Sequence, residues 1–311
     1  MILTVTPNPA YDVTYTVPRI EPGAVHRVDD VRERAGGKGI NVARVLMQLG
    51  EPVYALGFGN EAFAADLDTA GVQHDLVLAL QRVRRTLVVH AENDTTSFWE
   101  PGASLMSPDA CDRLCARLRL RLEDADGVVV SGSLPAGADP ALPARLARMA
   151  IDAGVPVVVD TDGEPLRLAA RVPGVVLVPN ADELESLLAG TRELTDPLEA
   201  CAGLLASGAR AVVATRGSDG MIAATSDGAW HATPGERVEG NPTGAGDSAA
   251  AAIIAQLSRP TVDWPALLAD AVATAAAAVA SPVAGAIDVA TRDRVRPRVV
   301  ETALPVRRNT P

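Results

Sequence analysis

Short β-branched runs that alternate with longer helical stretches constrain the fold of this chain more than any other feature. From about residue 126 onward, the pattern predicts four strands, each followed by turn residues and an amphipathic or alanine-rich stretch. These strands are expected at residues 127–131, 156–160, 175–179 and 211–215. The alternation predicts an α/β fold with a parallel sheet and helices on both faces, in which ligands bind at the carboxyl ends of the strands.

The residues before this region follow a different pattern. Apolar spacing predicts a helix over residues 40–49 that ends at Gly50. Three segments instead resemble short strands that do not alternate with helices, at residues 13–17, 25–31 and 86–91. We therefore expect a small β subdomain inserted in the α/β body.

The chain is expected to form one domain over residues 1–311, because no internal repeat or low-complexity linker divides it. Residues 292–311 are expected to hold a last helix and strand, followed by a frayed tail. With 48% hydrophobic and 22% charged residues, the chain can bury a core. That core must be built from Ala, Val and Leu, because aromatic residues make up only 3%.

Composition also excludes several classes of partner. A net charge of −11 disfavours nucleic acid, which requires a basic surface. The longest apolar run, residues 271–286, is mostly alanine and contains a proline, so it predicts a buried helix and no membrane partner. Cys111, Cys115 and Cys201 show no paired CxxC spacing, and no basic, cleavable leader is visible, so a reduced cytoplasmic protein is expected.

The sharpest local motif is Asn-Pro-Thr-Gly-Ala-Gly-Asp at residues 241–247, followed by a helical run over residues 248–257. Glycines at a helix start leave unpaired N–H groups at the positive end of the helix dipole, which favours anion binding. Asp247 could simply stabilise the helix start. Alternatively, the amides could hold a transferring phosphoryl group while Asp247 accepts the proton of an attacking hydroxyl.

Two further motifs carry polar residues beside glycine or turn residues. Residues 35–41 read Ala-Gly-Gly-Lys-Gly-Ile-Asn, and Lys38 is the only lysine among 28 basic residues. Glycines let the backbone approach a ligand and a lysine adds a point charge for anions, although a chance surface lysine is the alternative. Residues 6–12 read Thr-Pro-Asn-Pro-Ala-Tyr-Asp. Asp12 could accept hydrogen bonds from sugar hydroxyls, or it could cap the backbone of its own turn.

These three motifs, in this order and at these distances, resemble the PfkB (ribokinase-like) carbohydrate kinases, and in particular the branch of 1-phosphofructokinases and tagatose-6-phosphate kinases. Further matches lie at residues 23–28, 131–135, 179–183 and 215–220, so the resemblance covers nearly the whole chain. It implies a ribokinase-like three-layer αβα fold with a mostly parallel central sheet. It also implies a small β-sheet lid formed from segments around residues 12–31 and 84–100.

The resemblance implies a role for each matching residue. Asp247 would be the catalytic base, with an anion hole formed by Gly244, Ala245 and Gly246. The sugar would be faced by Asp12, Gly37, Lys38, Asn41 and Ser131, and its existing phosphate by Arg27 and Arg84. ATP would be bound near Asn180, Glu183, Thr215, Gly217 and Gly220, with Glu183 holding Mg²⁺ through water.

The implied activity is transfer of the γ-phosphate of ATP to a phosphorylated ketohexose, with fructose 1-phosphate first. Tagatose 6-phosphate, fructose 6-phosphate or another sugar is the alternative substrate, and a catalytically silent sugar-phosphate sensor is the alternative class. A Rossmann oxidoreductase is excluded, because no strand leads into G-x-G-x-x-G. The lid is commonly a dimer surface in this family, so a homodimer is expected.

The chain departs from the branch at several polar positions. Where the branch usually has Thr-Arg-x-Asn, this chain has Val83, Arg84, Arg85 and Thr86. Where it usually has Thr-Glu-x-Asn, this chain has Thr96, Ser97, Phe98 and Trp99, and Val178 replaces a usual Lys. These departures affect substrate identity more than reaction type, and they motivate the sensor alternative.

Overall fold

A computed structural model of the chain describes residues 1–28, 30–91, 95–188 and 196–305. Its strands are β1 Ile2–Thr6, β2 Ala10–Thr16, β3 Asp30–Gly36, β4 Val53–Gly59, β5 His74–Leu78, β6 Arg84–His90, β7 Thr95–Trp99, β8 Gly127–Ser131, β9 Val157–Asp160, β10 Val176–Leu177, β11 Ala211–Thr215, β12 Met221–Thr225, β13 Ala229–Thr233 and β14 Val300–Leu304. Its α-helices are α1 Lys38–Gln48, α2 Glu61–Thr69, α3 Ala110–Arg121, α4 Leu142–Asp152, α5 Gly163–Ala169, α6 Ala181–Leu188, α7 Pro197–Ala206, α8 Ala245–Leu257, α9 Trp264–Val279 and α10 Val289–Val295.

The large sheet contains ten of the described strands, in the order β14-β13-β12-β11-β10-β9-β8-β1-β4-β5. From β11 to β5 every neighbouring pair is parallel, whereas β12, β13 and β14 form an antiparallel edge. Because β1, β8 and β9 lie at the centre, their carboxyl ends meet at one edge of the sheet. This is the position where parallel α/β sheets bind ligands.

The expected α/β fold with a mostly parallel central sheet and a small sheet is confirmed. The strands expected at residues 127–131 and 211–215 have these bounds, and that expected at 156–160 begins one residue later. The strand expected at 175–179 is reduced to Val176–Leu177. Beyond Leu177 only single hydrogen bonds between the described residues continue the pairing, from Val178 N–H to Val159 O and from Thr215 N–H to Pro179 O, because Pro179 has no N–H to donate.

The small sheet, as we call the sheet with strand order β3-β2-β6-β7, pairs its strands antiparallel except for the parallel pair β2–β6. The strand expected at residues 25–31 is wrong, because the structure places β3 at Asp30–Gly36 and leaves residues 25–28 outside any strand. The error has a physical origin. Val25 and Val31 suggested strand periodicity, whereas β3 is rich in Arg and Glu and shows little apolar pattern.

The buried helix expected at residues 271–286 is shifted. Helix α9 instead runs over Trp264–Val279, with Asp263 capping Ala266 N–H, and ends before the loop that carries Gly285. Of the expected C-terminal elements, α10 and β14 are present, while residues 306–311 lie outside the described residues.

Helices α8 and α9 pack against each other beneath the large sheet. Both are rich in buried alanine, and residues 249–252 of α8 are four fully buried alanines. Small side chains let the two helices approach closely, which fixes where α8 begins. In the described part of the chain no helix is long and apolar enough to cross a membrane, and the three cysteines are buried and unpaired.

Candidate active site

The start of helix α8 lies at the centre of the candidate site. Gly244 precedes the helix with a φ of +84°, and Ala245 is the first helical residue. Asp247 lies in the first turn of α8 and is only 6% exposed. A Cβ placed on Gly246 would meet no atom within 4 Å, so open space borders this turn. Ala245 N–H donates to Pro242 O at 3.2 Å. The geometry is that of an anion-binding helix start.

Burial gives Asp247 an unusual acidity. Desolvation raises the pKa of Asp247 from its ordinary value of 3.8 to about 7. The positive charge of Lys38 lowers this pKa, whereas the negative charge of Asp160 raises it. Asn41 Nδ2 donates to Asp247 Oδ2 at 3.2 Å, which favours the charged form. A carboxylate poised near neutrality can accept a proton from a hydroxyl.

The same amide group reaches a second carboxylate. Asn41 Nδ2 also donates to Asp12 Oδ2 at 3.0 Å, so one side-chain amide connects the carboxylates of Asp12 and Asp247. Thr86 Oγ1 donates to Asp12 Oδ1 at 2.7 Å. Thr86, one of the departures from the branch, therefore still supplies a polar contact at this position.

Two glycines before α1 allow the backbone to approach Asp12. Gly37 has a φ of +93°, and its N–H donates to Asp12 Oδ2 at 3.4 Å. A Cβ on Gly36 would lie 2.2 Å from the same carboxylate oxygen, so a side chain there would displace Asp12. The glycine motif thus holds Asp12 against the start of α1.

Lys38 lies among acidic groups. Its Nζ donates to Asp160 Oδ1 at 2.9 Å and lies 3.8 Å from Glu183 Oε1. Burial acts to lower the pKa of Lys38, but the surrounding carboxylates, Asp160 first, outweigh burial and raise it. Ser131 Oγ donates to the other oxygen of Asp160 at 2.8 Å, so Ser131 and Lys38 share one buried carboxylate.

Asn180 and Glu183 begin helix α6 with reciprocal hydrogen bonds. Asn180 Oδ1 accepts from Glu183 N–H at 2.8 Å, and Glu183 Oε2 accepts from Asn180 N–H at 2.9 Å. This is a capping-box arrangement, which orients the carboxylate as well as stabilising the helix. Burial raises the pKa of Glu183, and the charge of Lys38 opposes this rise.

A magnesium ion fits this corner of the site by its donor chemistry. Among the described residues no three His, Cys, Asp or Glu side chains form a cage for a metal. Mg²⁺, however, is commonly held by one or two carboxylates together with waters and substrate phosphates. Glu183, with Oε1 facing the ammonium of Lys38, provides one such carboxylate.

The loop after β11 contains the other expected nucleotide residues. Thr215 N–H donates to Pro179 O at 2.9 Å, which places this loop beside Asn180. Gly217 and Gly220 have φ values of +56° and +79°. A Cβ on Gly220 would lie 1.9 Å from Ala232 O, whereas one on Gly217 would meet nothing within 4 Å. Gly220 is thus required by packing, and Gly217 borders open space.

Arg84 and Arg27 have different surroundings. Arg84 Nη2 lies 3.4 Å from Ser133 Oγ, and its Nη1 lies 3.4 Å from Glu100 O. Its Nε is buried without a hydrogen-bond partner among the described residues, and burial lowers the pKa of Arg84. Arg27 is exposed in the loop before β3. No contact between the described residues joins Arg27 and Arg84, so the phosphate site expected for these two residues stays a prediction.

The register of the small sheet places one departure beside the site. Arg34, Asp12, Thr86 and Trp99 are paired in succession across its four strands, so their side chains share a face. Trp99 is 74% exposed on that face. A bulky ring therefore borders the region of Asp12, where the branch usually has a small polar residue.

Sequence reasoning missed two groups of this site. Asp160 was expected only as the end of a strand, yet it is buried and accepts from both Lys38 and Ser131. Its position at the carboxyl end of a central parallel strand was the available signal. Asn8 is also buried, and its Nδ2 donates to Ser133 Oγ at 3.0 Å, which supports the loop under Arg84.

Fold and site together define a carbohydrate kinase. Residues 7–291 match the pfkB family of carbohydrate kinases, and the chain belongs to this family. The resemblance of the sequence motifs to this family is therefore confirmed.

Solved structures with the same fold include several phosphofructokinases. Escherichia coli phosphofructokinase-2 in complex with substrates and products is 26% identical, with a TM-score of 0.84 over 95% of this chain and 98% of that chain. A Staphylococcus aureus putative phosphofructokinase is 25% identical, with a TM-score of 0.77 over 98% and 99% of the two chains. A possible 1-phosphofructokinase from Thermotoga maritima, at 22% identity and a TM-score of 0.86 over 98% and 99%, shares the fold.

Proposed function

We propose that this sugar kinase uses ATP to phosphorylate a ketohexose that already carries one phosphate, with fructose 1-phosphate as the first candidate and fructose 1,6-bisphosphate as its product. The observation that carries the proposal is the buried Asp247 in the first turn of α8, beside open space at Gly246. Phosphoryl transfer requires mainly positioning and charge stabilisation, and this arrangement offers both.

The proposed reaction uses Asp247 as general base. The sugar hydroxyl oxygen forms a bond to the γ-phosphorus while the bond from that phosphorus to the β,γ-bridging oxygen breaks, and ADP leaves. The hydroxyl proton passes to the carboxylate of Asp247, which must be ionised to accept it. With a pKa raised to about 7, Asp247 is about half ionised at neutral pH.

The anion hole is assigned to the backbone at Gly244, Ala245 and Gly246. Negative charge on the transferring group would be stabilised by the N–H groups of this helix start. These dipoles need no rearrangement during the reaction, so their effect is largest in a desolvated site.

The second ligand is assigned to the opposite side of the site. Asn180, Glu183, Thr215, Gly217 and Gly220 are proposed to flank ATP, because the two loops that carry them adjoin through Thr215 N–H and Pro179 O. When bound, Mg²⁺ neutralises phosphate charge. Glu183 would hold it through water, in an orientation fixed by the hydrogen bond from Asn180 N–H.

The sugar is assigned to the space around Asp12, Gly37 and Asn41, with its phosphate toward Arg84. The buried Nε of Arg84, which has no hydrogen-bond partner among the described residues, supports this assignment. A desolvated guanidinium without an anion is costly, and a phosphate would offset that cost. Arg27 and Lys38 are proposed to add charge for the same phosphate.

The test is an ADP-release assay on fructose, ribose, fructose 1-phosphate, fructose 6-phosphate and tagatose 6-phosphate. We expect a phosphorylated ketohexose to give the highest kcat/KM, and Asp247→Asn to lower kcat by about 10² or more, which is the scale of a lost general base. Arg84→Gln and Lys38→Met should reduce the preference for phosphorylated over free sugar.

Three outcomes would contradict parts of the proposal. A free sugar as the best substrate would remove the phosphosugar assignment but leave a kinase. Near-normal kcat in Asp247→Asn would remove the general-base assignment. Tight sugar-phosphate binding without any ADP release would favour the silent sensor that the departures at Thr86, Ser97 and Trp99 suggest.

A further inference from the structure

Arg34 is a half-buried cation that the proposed mechanism does not use. It lies on β3 directly opposite Asp12 in the small sheet, so the two side chains share the face that borders the site. Its Nε and Nη2 are buried and have no hydrogen-bond partner among the described residues. Leaving buried N–H donors unpaired is unfavourable, so such a group requires a functional or structural reason.

A second unpaired group lies next to it. Asn41 Oδ1 is buried and has no hydrogen-bond partner among the described residues, although Asn41 Nδ2 donates to both Asp12 and Asp247. A Cβ placed on Gly285 would lie 2.6 Å from Asn41 Oδ1 and 3.1 Å from Arg34 Nη2. A free acceptor and a free charged donor therefore border the same small space beside Gly285.

The loop that carries Gly285 connects this space to the start of α8. Gln48 Nε2 donates to Gly285 O at 3.1 Å, and Gln48 Oε1 accepts from Ile287 N–H at 3.0 Å, so α1 holds the loop in place. A Cβ on Gly244 would lie 3.2 Å from Gly285 N. The loop therefore adjoins Asn41, Arg34 and the proposed anion hole.

We propose that Arg34 is a positioning residue, whose guanidinium donates to Asn41 Oδ1, directly or through one water, and so holds the Asn41 amide with its nitrogen toward the two carboxylates. The reversed amide would present its oxygen to Asp12 and Asp247, which is electrostatically unfavourable. A donor on the oxygen side secures the correct orientation in the same way that outer hydrogen bonds fix catalytic side chains. The inference rests on the proposed function for its kinetic consequence but not for the contact itself.

The charges around Arg34 support this role. Burial and the nearby charge of Arg44 lower the pKa of Arg34 to about 10, so it stays positive at neutral pH. Arg44 Nη2 donates to Ala35 O at 3.0 Å, while Arg44 Nε is buried without a hydrogen-bond partner among the described residues. It is the free Nη2 of Arg34 that lies 3.1 Å from the position of a Cβ on Gly285.

The test is a double-variant cycle on Arg34→Met and Asn41→Ala, with Arg32→Met as the matched control. Arg32 lies on the same strand, two residues away, but is half exposed and pairs with Asp30. If Arg34 acts through Asn41, Arg34→Met should lower kcat about tenfold with little change in KM for the sugar. In a chain that already carries Asn41→Ala, Arg34→Met should lower kcat only slightly further. Arg32→Met should leave kcat unchanged. Arg34→Lys should retain part of the kcat that Arg34→Met loses.

A second readout does not depend on activity. The carboxyl carbon of Asp247 can be titrated by NMR in the substrate-free protein. The acidic and basic groups that influence it are Lys38, Asp160 and Asp12, with the amide of Asn41. Loss of the amide contact should raise the pKa of Asp247 by about half a unit or more, in Arg34→Met as in Asn41→Ala, and without further increase in the double variant.

Additive effects in the double variant, in either readout, would overturn the proposal. So would an effect confined to KM, which would place Arg34 on the sugar itself. If the wild type turns over no sugar, the proposed function fails, and the NMR titration alone decides the role of Arg34. If Arg34→Met does not fold, Arg34→Lys and Asn41→Ala are compared in the same cycle, and independence there is equally decisive.

Discussion

Burial of Asp247 has two opposing effects. It suits an anion hole, but it penalises the negative charge on the carboxylate. The neighbours of Asp247 adjust the balance between them. Asn41 and Lys38 favour the ionised form, whereas desolvation and Asp160 disfavour it. The resulting pKa of about 7 makes Asp247 a stronger base than an exposed Asp at the same pH.

This balance predicts a stability cost that depends on pH. Because the folded-state pKa of Asp247 is raised, the unfolded chain releases this proton at lower pH than the folded chain. Stability is therefore lost as pH rises from about 4 to about 7, and the loss is constant above that range. Each unit of pKa shift corresponds to about 1.4 kcal/mol, so the Asp247→Asn variant should gain a few kcal/mol over the wild type across this interval.

Urea unfolding at several pH values between 4.5 and 8 measures this difference. Asp152→Asn serves as the control, since Asp152 is exposed on α4. If the difference in unfolding free energy between Asp247→Asn and the wild type does not change with pH, Asp247 titrates like an exposed carboxyl.

At the residue scale, the sequence predicted the groups that belong to short local motifs. Asp247, Asn41 and Asp12 follow glycines or turn residues, and these local signals place them near helix starts or strand ends. Asp160 and Arg34 have no such signal, because their roles depend on partners far away in the chain. Lys38 was expected to face the sugar, which stays a prediction. Its described contacts are with Asp160 and Glu183, and only three-dimensional pairing across 122 residues brings Asp160 to it.

At the scale of elements, prediction succeeded where burial produces a pattern. Strands β8 and β11 are continuous apolar runs, because parallel strands in the middle of a sheet are buried on both faces. Strand β3 is half exposed and charged, so its pairing with β2 rather than its own composition defines it. The predicted end of α9 was wrong because the alanine-rich run continues in the sequence beyond Val279. The helix ends there, at the turn before the Gly285 loop.

The start of helix α8 offers a matched pair of glycine variants. Gly244→Ala should destabilise the fold by about 1–3 kcal/mol, because Gly244 has a positive φ and its new Cβ would lie 3.0 Å from Ala284 Cα. Gly246→Ala should leave stability within about 1 kcal/mol, because its Cβ would enter open space and its φ is not left-handed. In that space the methyl group would meet the phosphoryl group, so Gly246→Ala should lower kcat at least about tenfold.

Thermal unfolding and the ADP-release assay separate the two effects. If Gly246→Ala keeps full activity, the backbone at Gly246 does not contact the phosphoryl group. If Gly244→Ala is as stable as the wild type, the loop around Ala284 is more compliant than its close approach to Gly244 indicates.

At the scale of the whole molecule, the two faces of the small sheet have different properties. The face with Arg34, Asp12 and Thr86 borders the site, while Val31, Tyr15 and Phe98 lie on the other face. Phe98 is 57% and Val31 53% exposed, so apolar side chains on both edge strands of this face are in contact with solvent. Such a surface is typical of an interface between protein chains. If the expected homodimer forms through the small sheet, this face, which we call the outer face, is where the subunits should meet.

A single charge on this outer face should separate the proposed dimer. Phe98→Asp would place a carboxylate in an apolar contact, and burying an unpaired charge costs several kcal/mol, so association should weaken by about 10² or more. Leu120→Asp is the matched control, because Leu120 is 78% exposed on α3, away from the small sheet. Sedimentation velocity over a concentration series should then show a dimer for the wild type and Leu120→Asp, and a monomer for Phe98→Asp. Because Trp99 and Asp12 lie on the other face of the same strands, loss of the dimer should also change KM for the sugar. A monomeric wild type, or a Phe98→Asp variant that dimerises normally, would place the contact between subunits elsewhere or remove it.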